Sequence, residues 1–253
     1  MIDAHFEYDS TSSVYSEFNT GYWWKNAEEK MILRTRKVIG VNHVLIPIIL
    51  FVDKTHCSTN GSLNAEPVMV TIGNIPVRLR KEPKAWFNLG FLPQKILTPA
   101  ERDELKKGRG TRSQLTAVYH EALRILLKEF LVIHDQDYID NKGTEVYIEG
   151  KGYVNAHFEL SMIIGDAVGH DQLCCHYQSY SKEVQRPMRM CYCPYDKLDD
   201  HMVKCERVIA KNIDYIILQC IQIVDAQKGD VTRARDIAKK HSQELYVSTL
   251  SSF

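Results

Sequence analysis

The chain has 253 residues and a mass of 29.2 kDa, which is long enough for one large domain or two small ones. Hydrophobic residues make up 44 % and charged residues 25 %, which excludes a disordered or fibrous chain. Lys and Arg total 32 and Asp and Glu total 32, so the formal net charge is zero. This balance excludes a uniformly basic nucleic-acid binder, although it allows a local basic surface.

The first predicted elements are a helix and a buried strand. Residues 23–37 have helical spacing of apolar side chains, and one face carries Trp24, Ala27 and Met31. Residues 44–52 are continuously apolar and predict a strand buried on both faces, with Pro47 at a bulge or near its start. This run is too short to cross a membrane, and the N-terminus lacks the basic and apolar regions of a signal peptide.

The remaining elements follow from hydrophobic period and turn residues. Strands are predicted at 67–75, 85–92, 146–148, 153–154 and 157–165. Helices are predicted from a capping box that begins at Thr98, and at 115–133, 203–224 and 230–245. Three antiparallel strands, a helix and a parallel strand are one way to build a ribonuclease-H-like α/β sheet, among several α+β folds.

Charge is distributed unevenly along the chain. Residues 1–24 have a net charge of −4, residues 76–128 carry twelve basic and five acidic side chains, and residues 134–172 carry eight acidic and two basic ones. One interpretation is that these are ordinary solvated faces. The other is a phosphate-binding surface beside a metal-binding pocket.

Two aspartates directly follow predicted core strands. Asp53 follows Ile-Ile-Leu-Phe-Val, and Asp166 follows Ser-Met-Ile-Ile-Gly. On adjacent strands such carboxylates lie close together, and they repel unless a hard divalent cation lies between them. Two-metal phosphoryl transfer requires this arrangement. The alternative is that each aspartate simply begins a turn.

A second candidate site is rich in cysteine, since five of the seven cysteines lie between Cys174 and Cys205. Without a secretion signal, this clustering indicates a reduced compartment and a metal or catalytic role. Thiolates with an imidazole favour tetrahedral zinc, and the alternative is buried free cysteines. The candidate zinc ligands are Cys174, Cys175, His176, Cys191 and Cys193, with His201 and Cys205 nearby.

Four stretches between about residues 20 and 200 together resemble the transposases of Plavaka-type and related CACTA-like DNA transposons. The most specific is Asp53-Lys-Thr-His56 followed by Thr71-Ile-Gly-Asn-Ile-Pro76. The others are Gly21-Tyr-Trp-Trp24 with its helix, the segment from Arg78-Leu-Arg-Lys81 through Trp86 to Pro93, and Ile164-Gly-Asp166 running on to Cys191-Tyr-Cys-Pro194.

This resemblance implies a ribonuclease-H-like α/β fold, with a mixed sheet, flanking helices and a cysteine-rich, zinc-type insertion. Asp53 and Asp166 would match the first two acids of a DDE/D set. They would bind Mg²⁺ or Mn²⁺, which activates water or a DNA 3′-hydroxyl for attack on a phosphodiester. The partner would be DNA at transposon ends, and the protein would act in the nucleus. No membrane would be involved, and the resemblance leaves open whether the protein forms an oligomer. Phosphate contacts would come from Arg78, Arg80, Lys81 and Lys84.

The sequence also departs from the family pattern. No residue can be assigned as the third acid, Met188-Arg-Met190 stands where a further cysteine is expected, and the usual N-terminal DNA-binding region is missing. We therefore expect a C-terminally truncated copy that is inactive alone. Its expected regions are an acidic segment and helix (1–40), the first half of the core (41–172), the cysteine-rich insertion (173–205) and C-terminal helices (206–253).

Two alternatives belong to other classes. The first is a zinc-stapled module without catalysis, which binds nucleic acid or protein through the basic stretch. In that case Asp53 and Asp166 are turn residues and the cysteines are structural. The second is a translated relic that does not fold stably, because an incomplete sheet leaves an unpaired edge and exposed apolar surface.

Overall fold

The computed structural model describes residues 4–11, 16–35, 42–57, 64–92, 98–100, 103, 111–173, 191, 193, 195–197, 202 and 204–206. The chain divides into two compact units, one formed by residues 1–94 with 124–165 and the other by 95–123 with 166–253. The helices predicted at 203–224 and 230–245 lie outside the described residues, apart from 204–206, which have no regular secondary structure.

The first unit is built on a five-stranded mixed sheet. Its strands are β1 (His43–Val52), β4 (Pro67–Ile72), β5 (Phe87–Phe91), β6 (Thr144–Ile148) and β7 (Gly152–Ile164), in the spatial order β5-β4-β1-β7-β6. A separate small ladder joins β2 (Thr55–His56) to β3 (Asn64–Ala65). The pairs β1–β4, β4–β5 and β6–β7 are antiparallel, whereas β1–β7 is parallel. The expected antiparallel three-strand start followed by a parallel strand is thereby confirmed.

The α-helices whose bounds the structure describes are α1 (Tyr22–Thr35), α2 (Val77–Arg80), α3 (Thr111–Leu126), α4 (Lys128–Asp140) and α5 (Ala167–Leu173). In the first unit, α1 contacts β1 and β7, and α4 contacts β7. The helix predicted over 115–133 is confirmed except at Leu127, which leaves the helical conformation (φ −95°, ψ 4°) and divides the segment into α3 and α4. Asn141 ends α4 with φ 57°, as the predicted turn requires. Residues 99, 100 and 103 are helical, which agrees with the helix start predicted at Thr98.

The predicted face of α1 forms part of the core of the first unit. Trp24 is completely buried and packs with Met31 and Leu45, and Ala27 contacts the same cluster. β1 is buried along nearly its whole length because β4 and β7 flank it and α1 contacts it. The continuous apolar run in the sequence therefore became a central strand, as expected. No helix among the described residues is long and apolar enough to span a membrane.

Pro47 lies in the middle of β1 and marks the end of the β1–β4 ladder. Ile48 pairs with Ile72, and the Gly73 N–H then donates to the Pro47 carbonyl at 2.7 Å. Proline has no N–H to return, so the ladder stops there and the strand predicted to reach residue 75 ends at Ile72. A Cβ on Gly73 would lie 2.6 Å from Phe18 Cδ1 and 2.9 Å from Pro47 Cβ, so the close approach requires glycine.

Asn74 joins this turn to two other segments. Its side chain is completely buried and donates to the His5 carbonyl at 2.8 Å and to the Leu45 carbonyl at 3.0 Å. The motif Thr71-Ile-Gly-Asn-Ile-Pro76 therefore holds the N-terminal segment against β1. In this motif Gly73 allows the close packing and Asn74 supplies the buried hydrogen bonds, so both residues have a structural role.

Candidate active site

The parallel pairing of β1 with β7 brings the carboxyl ends of both strands to the same edge of the sheet. Phe51 of β1 pairs with Ile164 of β7. Asp53 is the second residue after Phe51, and Asp166 is the second residue after Ile164. Consecutive Cα atoms are about 3.8 Å apart, so each aspartate Cα lies within about 7.6 Å of the paired residue before it. The two predicted acids thus follow adjacent strand ends by the same number of residues.

Local hydrogen bonds orient the second of these acids. Asp166 Oδ1 accepts from the Gly169 N–H at 2.5 Å, and the Asp166 carbonyl accepts from the His170 N–H at 3.0 Å. Asp166 therefore caps the N-terminus of α5, and its side chain is exposed, whereas Asp53 is half-buried. Capping accounts for an aspartate at this turn and also limits the rotation of its carboxylate.

The predicted DNA-binding residues do not share one environment. Arg78, Lys81 and Lys84 are exposed on α2 and the turn that follows it. Arg80 is half-buried, and its guanidinium lies 5.6 Å from the centre of the Phe18 ring. Burial lowers the pKa of Arg80, while the charge of Glu17 opposes that shift. Arg80 therefore packs against Phe18, whereas the other three bases are exposed, and Lys84 Nζ lies 3.8 Å from Glu82 Oε2.

Three cysteines of the second unit affect one another. The Cys193 side chain is buried, and its Sγ donates to the Lys197 carbonyl at 3.7 Å. Burial raises the pKa of the Cys193 thiol, and a hydrogen bond with Cys205 and the charges of Cys205 and Cys191 raise it further. Clustered thiolates repel one another, and a bound cation would reverse this effect.

Only some of the predicted zinc ligands belong to the residues that the structure describes. Cys174, Cys175, His176 and His201 lie outside it, and Cys191, Cys193 and Cys205 lie inside it. Within the described residues, no group of three or more His, Cys, Asp or Glu side chains is arranged to hold a metal ion. The three thiols have the donor chemistry that zinc prefers but do not by themselves form its coordination shell.

The sequence interpretation missed a buried polar network in the first unit, at the end of the sheet opposite to Asp53. His43 Nδ1 lies 2.8 Å from His157 Nε2, and His157 Nδ1 lies 2.8 Å from Asp137 Oδ2. Arg34 Nη2 donates to the same Asp137 oxygen at 3.0 Å, and the Gly143 N–H donates to Oδ1 at 2.8 Å. The network therefore links α1, β1, α4 and β7.

Further contacts extend the network along α4 and β7. Arg34 Nη2 lies 3.5 Å from Glu159 Oε1, and its guanidinium carbon lies 4.2 Å from the centre of the Tyr138 ring. The Tyr138 hydroxyl donates to Glu159 Oε1 at 3.0 Å. The Arg34 charge is thus balanced by two carboxylates and an aromatic face.

Asp137 is ionised within this network. Burial by itself would raise the pKa of its carboxyl. The hydrogen bond and charge of His157, the Arg34 guanidinium and the Gly143 N–H outweigh burial and hold the pKa below its usual value. One feature of the sequence could have indicated this network: the titratable side chain of His157 lies in a predicted core strand. His157 and its neighbour Ala156 are both buried. Nothing in the sequence identified its partners, which lie 20 and 114 positions away.

Comparison with known proteins agrees with the motifs. A family model described as Plavaka transposase matches residues 2–244, a span that includes Asp53, Asp166, the basic segment and the cysteines from Cys174 to Cys205. No curated protein matches the chain. Because the match covers nearly the whole sequence, the chain belongs to the Plavaka transposase family.

Proposed function

We propose that this transposase-family chain derives from an enzyme of DNA cleavage and strand transfer by phosphoryl transfer, that its divalent-metal site includes Asp53 and Asp166, and that it is inactive by itself because no third acid can be assigned in it. The observation that carries the proposal is the parallel register of β1 and β7, in which both aspartates follow paired residues at the same distance along the chain. The order β5-β4-β1-β7, with β7 parallel to β1, supports a ribonuclease-H-like core.

The two carboxylates suit a hard cation. Asp53 and Asp166 offer oxygen ligands on side chains that are half-buried and exposed, and so within reach of solvent and of DNA. Bound Mg²⁺ or Mn²⁺ would stabilise the attacking and leaving oxygens of an in-line displacement. The chain itself contributes rigid placement, because one acid extends from a central strand and the other caps α5.

The exposed bases Arg78, Lys81 and Lys84 are the proposed contacts with the DNA backbone. They present charge without the burial that occupies Arg80, and phosphate contacts of this kind position a duplex without reading its sequence. Because the proposed substrate is DNA, we also propose that the chain acts in the nucleus.

Metal binding tests the proposed site directly. We expect saturable Mn²⁺ binding by the purified chain in a calorimetric titration, and its loss in both Asp53→Asn and Asp166→Asn, because each change removes a charged ligand while preserving shape. Asp135→Asn is the matched control, since Asp135 is exposed on α4, and it should bind Mn²⁺ like the unaltered chain. Unaltered binding in both active-site variants would refute the proposed metal site.

DNA binding tests the basic surface. Lys81→Ala and Lys84→Ala should each weaken binding to all sequences alike and reduce the slope of log affinity against log salt by about 1. Lys25→Ala, which removes an exposed base on α1, is the control and should leave the slope unchanged. If Lys81→Ala and Lys84→Ala had the same salt slope as the Lys25→Ala control, the DNA backbone would not contact Lys81 or Lys84.

The second candidate function is a zinc-stapled binding module without catalysis, and the mutual influence of Cys191, Cys193 and Cys205 favours it. Under this proposal the purified chain contains one zinc ion, by elemental analysis, together with no Mn²⁺ binding. Cys193→Ser should lose the zinc, whereas Cys57→Ser, which changes an exposed cysteine of the other unit, should keep it. A zinc-free chain would rule out this candidate.

A further inference from the structure

The ladder between β1 and β7 changes register once, in the middle of both strands. Ile48 pairs with Leu160, but the next residue of β1, Ile49, pairs with Met162. Ser161 is therefore an extra residue in β7, a β-bulge. Bulges are rare in parallel ladders, and they are over-represented next to active sites, where they redirect side chains.

A side-chain hydrogen bond closes this bulge. The Ser161 hydroxyl donates to the Ile48 carbonyl at 2.6 Å. Ile48 is buried, with 7 % of its surface exposed, so water is poorly placed to satisfy that carbonyl where the bulge interrupts the ladder. The hydroxyl thus supplies locally the donor that a regular neighbouring strand would otherwise provide.

The bulge determines which residues end the two strands side by side. Beyond it, Phe51 pairs with Ile164, so that Asp53 and Asp166 are each the second residue after a paired position. Up to Phe51 and Ile164, paired side chains of the two strands lie on the same face of the sheet.

A ladder without the bulge would pair different residues at the ends of the two strands. With Ser161 included as an ordinary paired residue, Phe51 would pair with Ile163, and Asp53 would be matched by Gly165. A slip of one residue shifts a strand by about 3.3 Å and turns each side chain to the other face of the sheet. The two aspartates would then no longer follow paired residues by the same number of positions.

We propose that Ser161 is a positioning residue, which sets the register of β7 on β1, so that Asp53 and Asp166 follow paired residues by the same number of positions. The importance of this register for metal binding rests on the proposed function, whereas the register itself does not. Ser161 acts through Asp166 and needs no contact with metal or DNA.

The test measures register and metal affinity separately in Ser161→Ala, Ser161→Thr and a variant with Ser161 deleted. Cross-strand NOEs report whether Phe51 neighbours Ile164 or Ile163, and a Mn²⁺ titration reports affinity. In Ser161→Ala we expect the NOEs to move from Ile164 to Ile163 and the Mn²⁺ affinity to fall about 10- to 100-fold. Ser161→Thr keeps the hydroxyl, and the deletion removes the extra residue, so both should keep the Phe51–Ile164 contact and bind Mn²⁺ within a few-fold of the unaltered chain.

The outcomes separate the two proposals. If Ser161→Ala keeps the Phe51–Ile164 NOEs, Ser161 does not set the register and the inference is wrong. The inference is also wrong if the deletion keeps those NOEs but loses Mn²⁺ affinity, because register would then not be what matters. An unaltered chain that shows the Phe51–Ile164 NOEs without Mn²⁺ binding would refute the proposed metal site, and the NOEs of Ser161→Ala would still decide the role of Ser161.

Discussion

Replacing Asp137 by Asn should lower the free energy of unfolding by about 3–5 kcal/mol, the range observed when one partner of a buried ion pair is removed. The Asp137 side chain is 4 % exposed, and it accepts hydrogen bonds from Arg34, His157 and the Gly143 backbone. Without its charge, the Arg34 guanidinium, whose side chain is 16 % exposed, would lose its closest anion. Denaturant unfolding followed by circular dichroism measures the change.

A neighbouring substitution provides the control for this prediction. Asp135→Asn changes the same residue type on the same helix, at a side chain that is 70 % exposed. Surface substitutions of this kind usually change stability by less than about 0.5 kcal/mol. If the two variants were equally stable, the network would be too hydrated to contribute as a buried ion pair.

The pH dependence has a definite sign. The pKa of Asp137 is lower in the folded chain than in the unfolded chain, so the ionised carboxylate stabilises the fold above the unfolded pKa of about 3.9. This contribution is lost as the pH falls through the lower, folded pKa. Stability measured between about pH 5 and pH 2 should therefore fall more steeply for the unaltered chain than for Asp137→Asn. Parallel curves would mean that the carboxyl titrates equally in both states.

Trp24→Ala should cost about 3–5 kcal/mol of unfolding free energy, as expected when a large aromatic side chain is removed from a core. Trp24 is completely buried between Met31 and Leu45, and Phe18 lies edge-on at 6.2 Å between ring centres. The cavity would lie between α1 and β1, two elements that the rest of the sheet holds in place.

Tyr22→Ala is the matched control for the tryptophan. Tyr22 lies on the same helix, two residues earlier in the same family motif, and is 74 % exposed. Its removal should change stability by less than about 0.5 kcal/mol in the same denaturant experiment. If Tyr22→Ala lowered the free energy of unfolding as much as Trp24→Ala, burial of the side chain would not explain the effect of the tryptophan.

These contacts separate the structural motifs of the family from those proposed for chemistry. Trp24 holds α1 on the sheet, and Gly73 and Asn74 hold the N-terminal segment on β1. Asp53, which belongs to the same resemblance, is half-buried and directly follows the end of β1. Mutations in the first group should reduce stability, and those at Asp53 should reduce metal binding.

Several elements could be predicted from the sequence because short-range patterns determine them. The buried strand β1, the inward face of α1 and the β6–β7 hairpin follow from hydrophobic period and glycine turns. The strand-end positions of Asp53 and Asp166 could be predicted for the same reason. The boundary at Leu127 could not, because apolar residues continue at helical spacing across it.

Only the tertiary structure decided how these elements combine. The pairing of β1 with β7 joins residues more than a hundred positions apart, and the extra residue Ser161 in that ladder leaves no trace in the hydrophobic pattern. The network of Arg34, His43, Asp137 and His157 likewise depends on four elements meeting at one point. By itself, the sequence of this protein determined its elements, its candidate acids and its resemblance to a family of transposases. Register and buried polar partners were decided by folding, because they depend on contacts between residues that no local pattern connects.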